Sequence, residues 1–156
     1  MRKHKFGSAA AVAALTGVAV LGLAPNASAE TPGTCWDNYE NAVSGYMSAY
    51  DKINCDGFLG MAKGNDKNWG DKAGSFQGND IFRASSLVNK GTRSEVKFFL
   101  GSGANSNFHI CLTRAEGFVR DLRDDYWLGD KTFGSVNNSI GSHIWVGRTA
   151  CSFLAV

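Results

Sequence analysis

The hydrophobic positions that follow residue 34 recur at helical spacing. They are Trp36, Tyr39, Val43, Tyr46, Met47 and Tyr50. Residues three and four positions apart share one face of a helix, so the pattern predicts one amphipathic helix over 35–50. Thr34 and Asp37 have the spacing of a capping box, which would begin this helix. Its aromatic stripe is expected to pack on a sheet, the alternative being a binding face.

After Cys55 the pattern changes to short apolar runs separated by stretches rich in Gly, Asn and Asp. Six runs are predicted strands: 58–61, 75–76, 96–100, 108–112, 118–122 and 143–146. Regular short strands with turns between them favour an all-β sandwich. No linker or second globular domain is predicted.

Two segments of this region resemble each other at a distance of 48 positions. Residues 88–98 read VNKGTRSEVKF and residues 136–146 read VNNSIGSHIWV, so that Val88, Asn89 and Ser94 recur as identical residues. An internal period of this size indicates one supersecondary unit built twice. Four strands with a long return connection form a Greek key, and two such units would pack their apolar faces together.

The first 29 residues have the pattern of a secretory signal peptide. A basic start, Arg2–Lys5, precedes an apolar run over 9–24, and Ala27-Ser28-Ala29 is a small-residue cleavage site. We therefore expect a secreted, extracellular protein without a membrane span. The expected organisation is a signal peptide over 1–29, an N-terminal helical segment over 30–54 and a β-domain over 55–156.

Charge and cysteine content narrow the class further. Beyond residue 29 the chain has 13 Lys and Arg against 14 Asp and Glu, which gives no electrostatic case for nucleic-acid binding. We expect a monomer. An even number of cysteines in an exported chain favours two disulfides, although three pairings are possible. We expect Cys35–Cys151 and Cys55–Cys111.

The turn Asn137-Asn138-Ser139-Ile140-Gly141-Ser142 resembles the N/D-N/D-x-x-S/T-S turn of the βγ-crystallin superfamily, departing from it at Gly141. The segment Asn89–Ser94 matches only at its ends. The chain looks most like the branch of secreted bacterial peptidase inhibitors, which includes metalloproteinase inhibitors and has killer-toxin-like neighbours. The resemblance covers about 55–151. It implies a double Greek-key sandwich and an extracellular protease, such as a metalloprotease, as partner.

In that superfamily the turn helps to ligate calcium, and its fifth position supplies a hydroxyl. Here the fifth positions are Arg93 and Gly141, and Lys90 places a cation in the first turn. A structural turn is therefore favoured over a weak calcium site. If calcium binds, the candidates are Asn137, Asn138 and Ser142, a loop carbonyl near Asp66, and more weakly Asn89 and Ser94. No other cofactor is expected.

The residues offer no convincing catalytic constellation, so we expect a protein that is not an enzyme. His109 and His143 each fall in a predicted strand, where a position on the solvent face explains them. Carboxylates are concentrated at Glu116, Asp121, Asp124 and Asp125. Because arginines alternate with them, salt-bridged surface is favoured over a glycosidase pair.

The resemblance implies a secreted proteinase inhibitor that presents a rigid, disulfide-supported loop in an extended, substrate-like form. Two polar loops are candidates, 101–107 and 64–72. Their candidate residues are Gly101, Ser102, Gly103, Ala104 and Asn105 in the first, and Asn65 and Asp66 in the second. The alternative is an antimicrobial, killer-toxin-like or cell-wall polysaccharide-binding protein. Exposed tryptophans would stack on sugar rings, and Trp127 is the best candidate among Trp36, Trp69, Trp127 and Trp145.

Overall fold

The computed structural model describes residues 34–156, so the predicted signal peptide and its cleavage site lie outside the described residues. One α-helix, α1 (Cys35–Asn41), is followed by seven strands in this range. They are β1 (Met47–Tyr50), β2 (Phe58–Ala62), β3 (Ser86–Asn89), β4 (Glu95–Leu100), β5 (His109–Leu112), β6 (Phe118–Val119) and β7 (Ile140–Val146). The all-β prediction with a short N-terminal helix is confirmed. No helix within 34–156 is long and apolar enough to cross a membrane.

The N-terminal helix is shorter than predicted. The capping box at Thr34 is present, but α1 ends at Asn41, and Ala42 already has an extended backbone. Gly45 adopts a left-handed conformation and donates its N–H to the Lys90 carbonyl, which directs the chain into β1. The strand β1 is central, since it pairs with β2 on one side and β3 on the other, and all four of its residues are buried. Met47 and Tyr50 thus belong to a central strand, Val43 and Tyr46 lie in the connection before it, and the helix prediction was wrong after Asn41.

The strands form two antiparallel sheets. Sheet A has the order β2-β1-β3-β6, and sheet B has the order β5-β4-β7. Each sheet is extended by a segment from the other half of the chain. The late strand β6 joins sheet A, whereas Asp66, from the first half, forms an isolated bridge with His143 in β7. This exchange joins the two halves into a single domain.

The two-unit design is present, but in a different register from the one the sequence suggested. Strand β1 lies between β2 and β3, and β4 lies between β5 and β7, so β4, β5 and β7 repeat β1, β2 and β3. The segments 88–98 and 136–146 therefore contain non-equivalent strands. They are neighbours in sheet B, where Val96 lies opposite Trp145 and Phe98 lies opposite His143.

Two buried serines show which residues of the two units are equivalent. The Ser86 hydroxyl donates to the Lys52 carbonyl at 2.6 Å and accepts from the Cys55 N–H at 2.9 Å, which closes the β1–β2 turn. Ser142 closes the β4–β5 turn with the same pair of bonds, at 2.7 and 3.1 Å. The counterpart of Ser142 is therefore Ser86, whereas Ser94 lies in the connection between the two units.

The core lies between the two sheets and under their connections. Trp69 and Phe76 stack at 4.0 Å between ring centroids, and both are fully buried. Residues 75–76 were predicted to be a strand, but they form no strand and contribute this aromatic ring instead. The run 118–122 is a strand only at Phe118–Val119, and Leu122 is a buried loop residue.

All four cysteines form disulfides, but not in the expected pairing. The bonds are Cys35–Cys55 and Cys111–Cys151, with sequence separations of 20 and 40 residues. The first ties α1 to the β1–β2 turn. The second holds the C-terminal segment against β5, where Cys111 exchanges backbone hydrogen bonds with Phe153 and Ala155. The expected link between the N-terminal segment and residue 151 was wrong because these two segments pack on different sheets.

Candidate functional site

The loop of residues 101–107 connects β4 to β5 and is held from beneath. The Ser142 hydroxyl bridges its Gly101 carbonyl and Ala104 N–H, as described for the β4–β5 turn. The Gly103 N–H donates to the Lys67 carbonyl at 2.6 Å, and Leu100 and Phe108 are hydrogen-bonded at its base. These bonds order the loop while leaving its outer residues exposed, notably Ser102, Asn105 and Asn107.

The backbone of this loop is not extended. Gly101, Gly103 and Ala104 have φ values of 80°, 98° and 51°, all in the left-handed region. A substrate-like peptide would need β-region angles at these positions. The prediction of an extended, substrate-like loop was therefore wrong for 101–104, since the tight turn over Ser142 requires left-handed residues.

Two exposed aromatic side chains flank the base of this loop. Phe133 is 45% exposed and packs edge-on against Phe108, with ring centroids 5.3 Å apart. Phe153 is 44% exposed and packs against His109 at 5.4 Å. Exposed aromatic rings beside an ordered loop are typical of the anchors of protein interfaces. We call the loop 101–107 with Phe133 and Phe153 the loop surface.

The second candidate loop, 64–72, is anchored by two buried side chains, Asp66 and Trp69. Asp66 is buried, and its carboxylate accepts hydrogen bonds from the backbone N–H groups of Asn68, Ser75 and Phe76. Asn65 accepts a hydrogen bond from the Trp145 backbone N–H at 2.8 Å. These two predicted inhibitory residues therefore organise the loop itself.

His143 is a core residue rather than the surface residue that strand alternation suggested. Its Nδ1 accepts from the Trp69 indole N–H at 2.9 Å, so the ring proton resides on Nε2 and is donated to the Gly64 carbonyl. Burial lowers the pKa of His143 to about 4, against weaker raising effects of the Gly64 hydrogen bond and the Asp66 carboxylate. The ring is therefore neutral above about pH 4 and is shielded from solvent.

The tryptophans are distributed differently from the prediction. Trp127 and Trp69 are buried, Trp145 is partly buried and Trp36 is 55% exposed. Trp36 lies in an aromatic cluster with Tyr39 and Phe118, at centroid distances of 6.2 and 6.4 Å. Trp127 is thereby excluded as an exposed sugar-stacking residue.

The residues of the two predicted calcium turns have different structural roles. Asn89 is fully buried, donating to the Leu112 carbonyl and accepting from Gly91, and Ser142 is committed to the β4–β5 turn. Ser94 lies in the β3–β4 connection.

The remaining calcium candidates lie in the turn before β7. Asn138 accepts from the Ser85 hydroxyl and is exposed, whereas Asn137 Oδ1 is buried without a hydrogen-bond partner in the described part of the chain. In the first unit, Ile81-Phe82 occupies the position that Asn137-Asn138 occupies in the second. Phe82 and Asn138 both have a left-handed backbone, and each donates its N–H to the carbonyl of the residue two positions after the other. One orphan oxygen falls short of the six to eight that calcium takes, so the side chains do not fit the ion by themselves. The structural turn stays the favoured prediction, and calcium binding at Asn137 stays its weaker alternative.

The four acidic residues Glu116, Asp121, Asp124 and Asp125 do not form a uniformly salt-bridged surface. Asp121 pairs with Arg123, and Glu116 accepts from the backbone and hydroxyl of Thr113. Asp125 is buried, with Oδ1 accepting from the Val156 N–H at 3.0 Å and Oδ2 lacking a partner within residues 34–156. Burial raises the pKa of Asp125 to about 6, and the neighbouring carboxylates add to this effect.

Replacing Asp125 by asparagine should stabilise the protein at pH 7 by about 1 kcal/mol, or a few degrees in Tm. The folded-state pKa lies above the ordinary value of 3.8, so the folded state holds the proton more tightly and loses stability as pH rises through about 6. Thermal unfolding of both proteins at pH 4 and pH 7 measures the effect. The gain should vanish near pH 4, and an equal gain at both values would contradict the burial argument.

Comparison with known proteins supports the fold. No protein-family model and no curated protein matches the chain. A solved structure described as "Evolution of the eye lens beta-gamma-crystallin domain fold" is similar to it with a TM-score of 0.51 and 21% sequence identity, over 69% of this chain and 90% of that chain. At this identity the likeness shows the fold alone. The predicted superfamily is thereby supported at the level of fold, and the inhibitor branch stays a prediction.

Proposed function

From the βγ-crystallin domain fold and the ordered loop at one end of sheet B, we propose that this chain is a secreted, non-enzymatic inhibitor of an extracellular proteinase. The observation that carries the proposal is the support beneath the loop 101–107, where the buried Ser142 hydroxyl and the Lys67 carbonyl bond to its backbone. A loop that is ordered before binding loses little conformational entropy on docking. Two disulfides are compatible with an oxidising, extracellular compartment.

The backbone of the loop determines how such an inhibitor would act. A peptide that is cleaved lies extended across the protease, but Gly101, Gly103 and Ala104 are left-handed. The loop would therefore obstruct the cleft by its shape and remain uncut. Phe133 and Phe153 would supply the apolar anchors at the rim, since buried aromatic side chains contribute most to interface energies.

The test is stoichiometric titration of a panel of metallo- and serine proteases with the oxidised protein. Residual activity and intact mass are followed together. We expect inhibition near one-to-one with the chain uncut. Uninhibited activity of every protease would overturn the proposal, and cleavage within 101–107 during inhibition would overturn the obstructive mode.

Replacing both Phe133 and Phe153 by serine should weaken inhibition at least tenfold, because it removes the apolar anchors and leaves the loop bonds intact. The measurement is the inhibition constant for the protease found by titration. The control is Phe58→Ser, since Phe58 is 60% exposed and lies on β2 in the other sheet. An equal loss in the control would contradict the assignment of the interface to the loop surface.

A killer-toxin-like or wall-binding protein remains the second candidate function. The feature that favours polysaccharide binding is a cationic groove beside Trp145, on a different part of the surface from the loop. Growth inhibition of neighbouring microorganisms without any effect on proteolysis would favour the toxin function.

A further inference from the structure

A groove of about 400 Å³ lies beside the end of β7, between the segment that follows β2 and the β3–β4 connection. Its lining includes Lys63, Asn65, Thr92, Arg93, Ser94 and Trp145. Its volume falls in the range of small-ligand pockets. It belongs neither to the loop surface nor to the predicted calcium turn before β7.

The indole of Trp145 is fixed in position. Its Nε1–H donates to the Gly64 carbonyl at 3.1 Å, and the backbone N–H of Trp145 donates to Asn65 Oδ1 at 2.8 Å. With its polar hydrogen occupied, the indole offers the groove only carbon surface. A fixed aromatic ring is suited to packing against the apolar face of a sugar ring, because neither partner has to be reordered.

Gly91 explains how the β3–β4 connection reaches this ring. A Cβ atom at this position would lie 2.6 Å from Trp145 Cζ3 and 2.9 Å from the Ser94 carbonyl oxygen, which is closer than packed atoms approach. Only glycine allows the connection to lie against the indole. The segment Asn89–Ser94, which the sequence suggested as a calcium turn, therefore forms one wall of the groove.

The groove is cationic. Lys63 and Arg93 line it and are exposed, and no Asp or Glu is among its lining residues. Neither cation forms a salt bridge within residues 34–156, although four other pairs in that range do. The hydroxyls of Thr92 and Ser94 and the Asn65 amide provide further hydrogen-bonding groups. The site therefore combines an aromatic surface with two free positive charges and neutral polar groups.

We propose that this groove binds an acidic polysaccharide, with a sugar ring packed on Trp145 and its carboxylate or phosphate groups paired with Lys63 and Arg93. Nucleic acid is a poorer fit, since its binding depends on neutralising many backbone phosphates, and this groove offers two cations. The site is independent of proteinase inhibition and would retain the secreted protein on an anionic wall or matrix polymer.

The test is a titration of the oxidised protein with polygalacturonate, with a glycosylated poly(ribitol phosphate), with galacturonate monomer and with neutral dextran. Isothermal calorimetry gives the affinity. We expect at least one acidic polymer to bind, more weakly as salt is raised, and dextran to fail. The two polymers distinguish carboxylate from phosphate as the preferred acid group.

Matched charge variants locate the site. Lys63→Gln with Arg93→Gln should weaken polymer binding at least tenfold. Lys72→Gln with Lys131→Gln removes two exposed cations outside the groove and should change binding less than twofold. Equal losses in the two double variants would overturn the proposal, because they would indicate unspecific attraction.

Nuclear magnetic resonance provides a readout that does not depend on mutation. The indole N–H signal of Trp145 should shift when the polymer binds, while that of the exposed Trp36, which does not line the groove, should not. A shift confined to Trp36 would place binding at the α1 aromatic cluster and overturn the site. Binding of dextran, failure of both acidic polymers, or monomer binding as tight as polymer binding would overturn the assignment of the ligand.

Discussion

Replacing His143 by leucine should lower the free energy of unfolding by about 3–4 kcal/mol. The imidazole is fully buried and accepts from the Trp69 indole N–H while donating to the Gly64 carbonyl. Leucine fills most of the volume but leaves the buried indole donor without an acceptor, which costs about 1–3 kcal/mol by itself. The Gly64 bond and the ring packing against Phe76 and Phe98 are lost in addition. Urea unfolding at pH 7 measures the change.

The matched control is His109→Leu. His109 is half-buried on the outer side of sheet B, where its ring bonds to the Asn107 carbonyl and the Ser152 hydroxyl. Loss of exposed bonds should cost less than about 1 kcal/mol. Equal effects of the two substitutions would contradict the structural role of His143.

His143 also predicts the behaviour of the protein in acid. Its folded-state pKa of about 4 lies below the ordinary 6.5, so the unfolded chain binds more protons between these values. Stability from this group is fully present above pH 6.5 and is lost as pH falls towards 4, by on the order of 3 kcal/mol. Asp125 acts in the opposite direction between 3.8 and 6, which flattens the wild-type curve.

The two contributions can be separated with the Asp125→Asn variant. In that background the acid loss from His143 should appear undiminished between pH 6.5 and 4, and adding His143→Leu should abolish it. The measurement is the free energy of unfolding across that range. If the slope of the unfolding free energy against pH is unchanged after both substitutions, other groups control the acid response.

Replacing Ser86 or Ser142 by alanine should cost about 2–3 kcal/mol each. Both hydroxyls are fully buried, and each bridges a carbonyl and an N–H across a tight turn. Alanine leaves these two backbone groups without their partner, with a desolvation cost of about 1–3 kcal/mol for each group that stays buried. Chemical denaturation of the two variants measures the loss.

Ser94→Ala is the control that distinguishes the structural register from the sequence register. Ser94 is the residue that aligns with Ser142 at a spacing of 48, but it lies in the β3–β4 connection and its hydroxyl makes no hydrogen bond within residues 34–156. We expect a change within about 0.5 kcal/mol. A loss as large as that of Ser142→Ala would restore the sequence alignment. Ser142→Ala should in addition weaken proteinase inhibition, because it frees the loop 101–107.

Only the tertiary structure determined two features: which cysteines pair, and on which face of the sheet a strand residue points. Four cysteines in an exported chain indicated two disulfides, yet all three pairings satisfy the sequence. Cys111 reaches Cys151 only because the C-terminal segment lies beside β5. His143 lies between Ser142 and Ile144 in β7, and strand periodicity alone does not say which of the two faces is covered.

Local interactions explain what the sequence by itself determined. The capping box at Thr34 lies within four residues, and the short apolar runs with polar turns indicated an all-β sandwich. Contacts between distant segments decided the rest. Strand β1 was hidden in a helical pattern because a central strand, buried on both faces, needs no alternation. The equivalence of Ser86 with Ser142 and the groove at Trp145 exist only where turns far apart in sequence close on one another, and no local pattern encodes that approach.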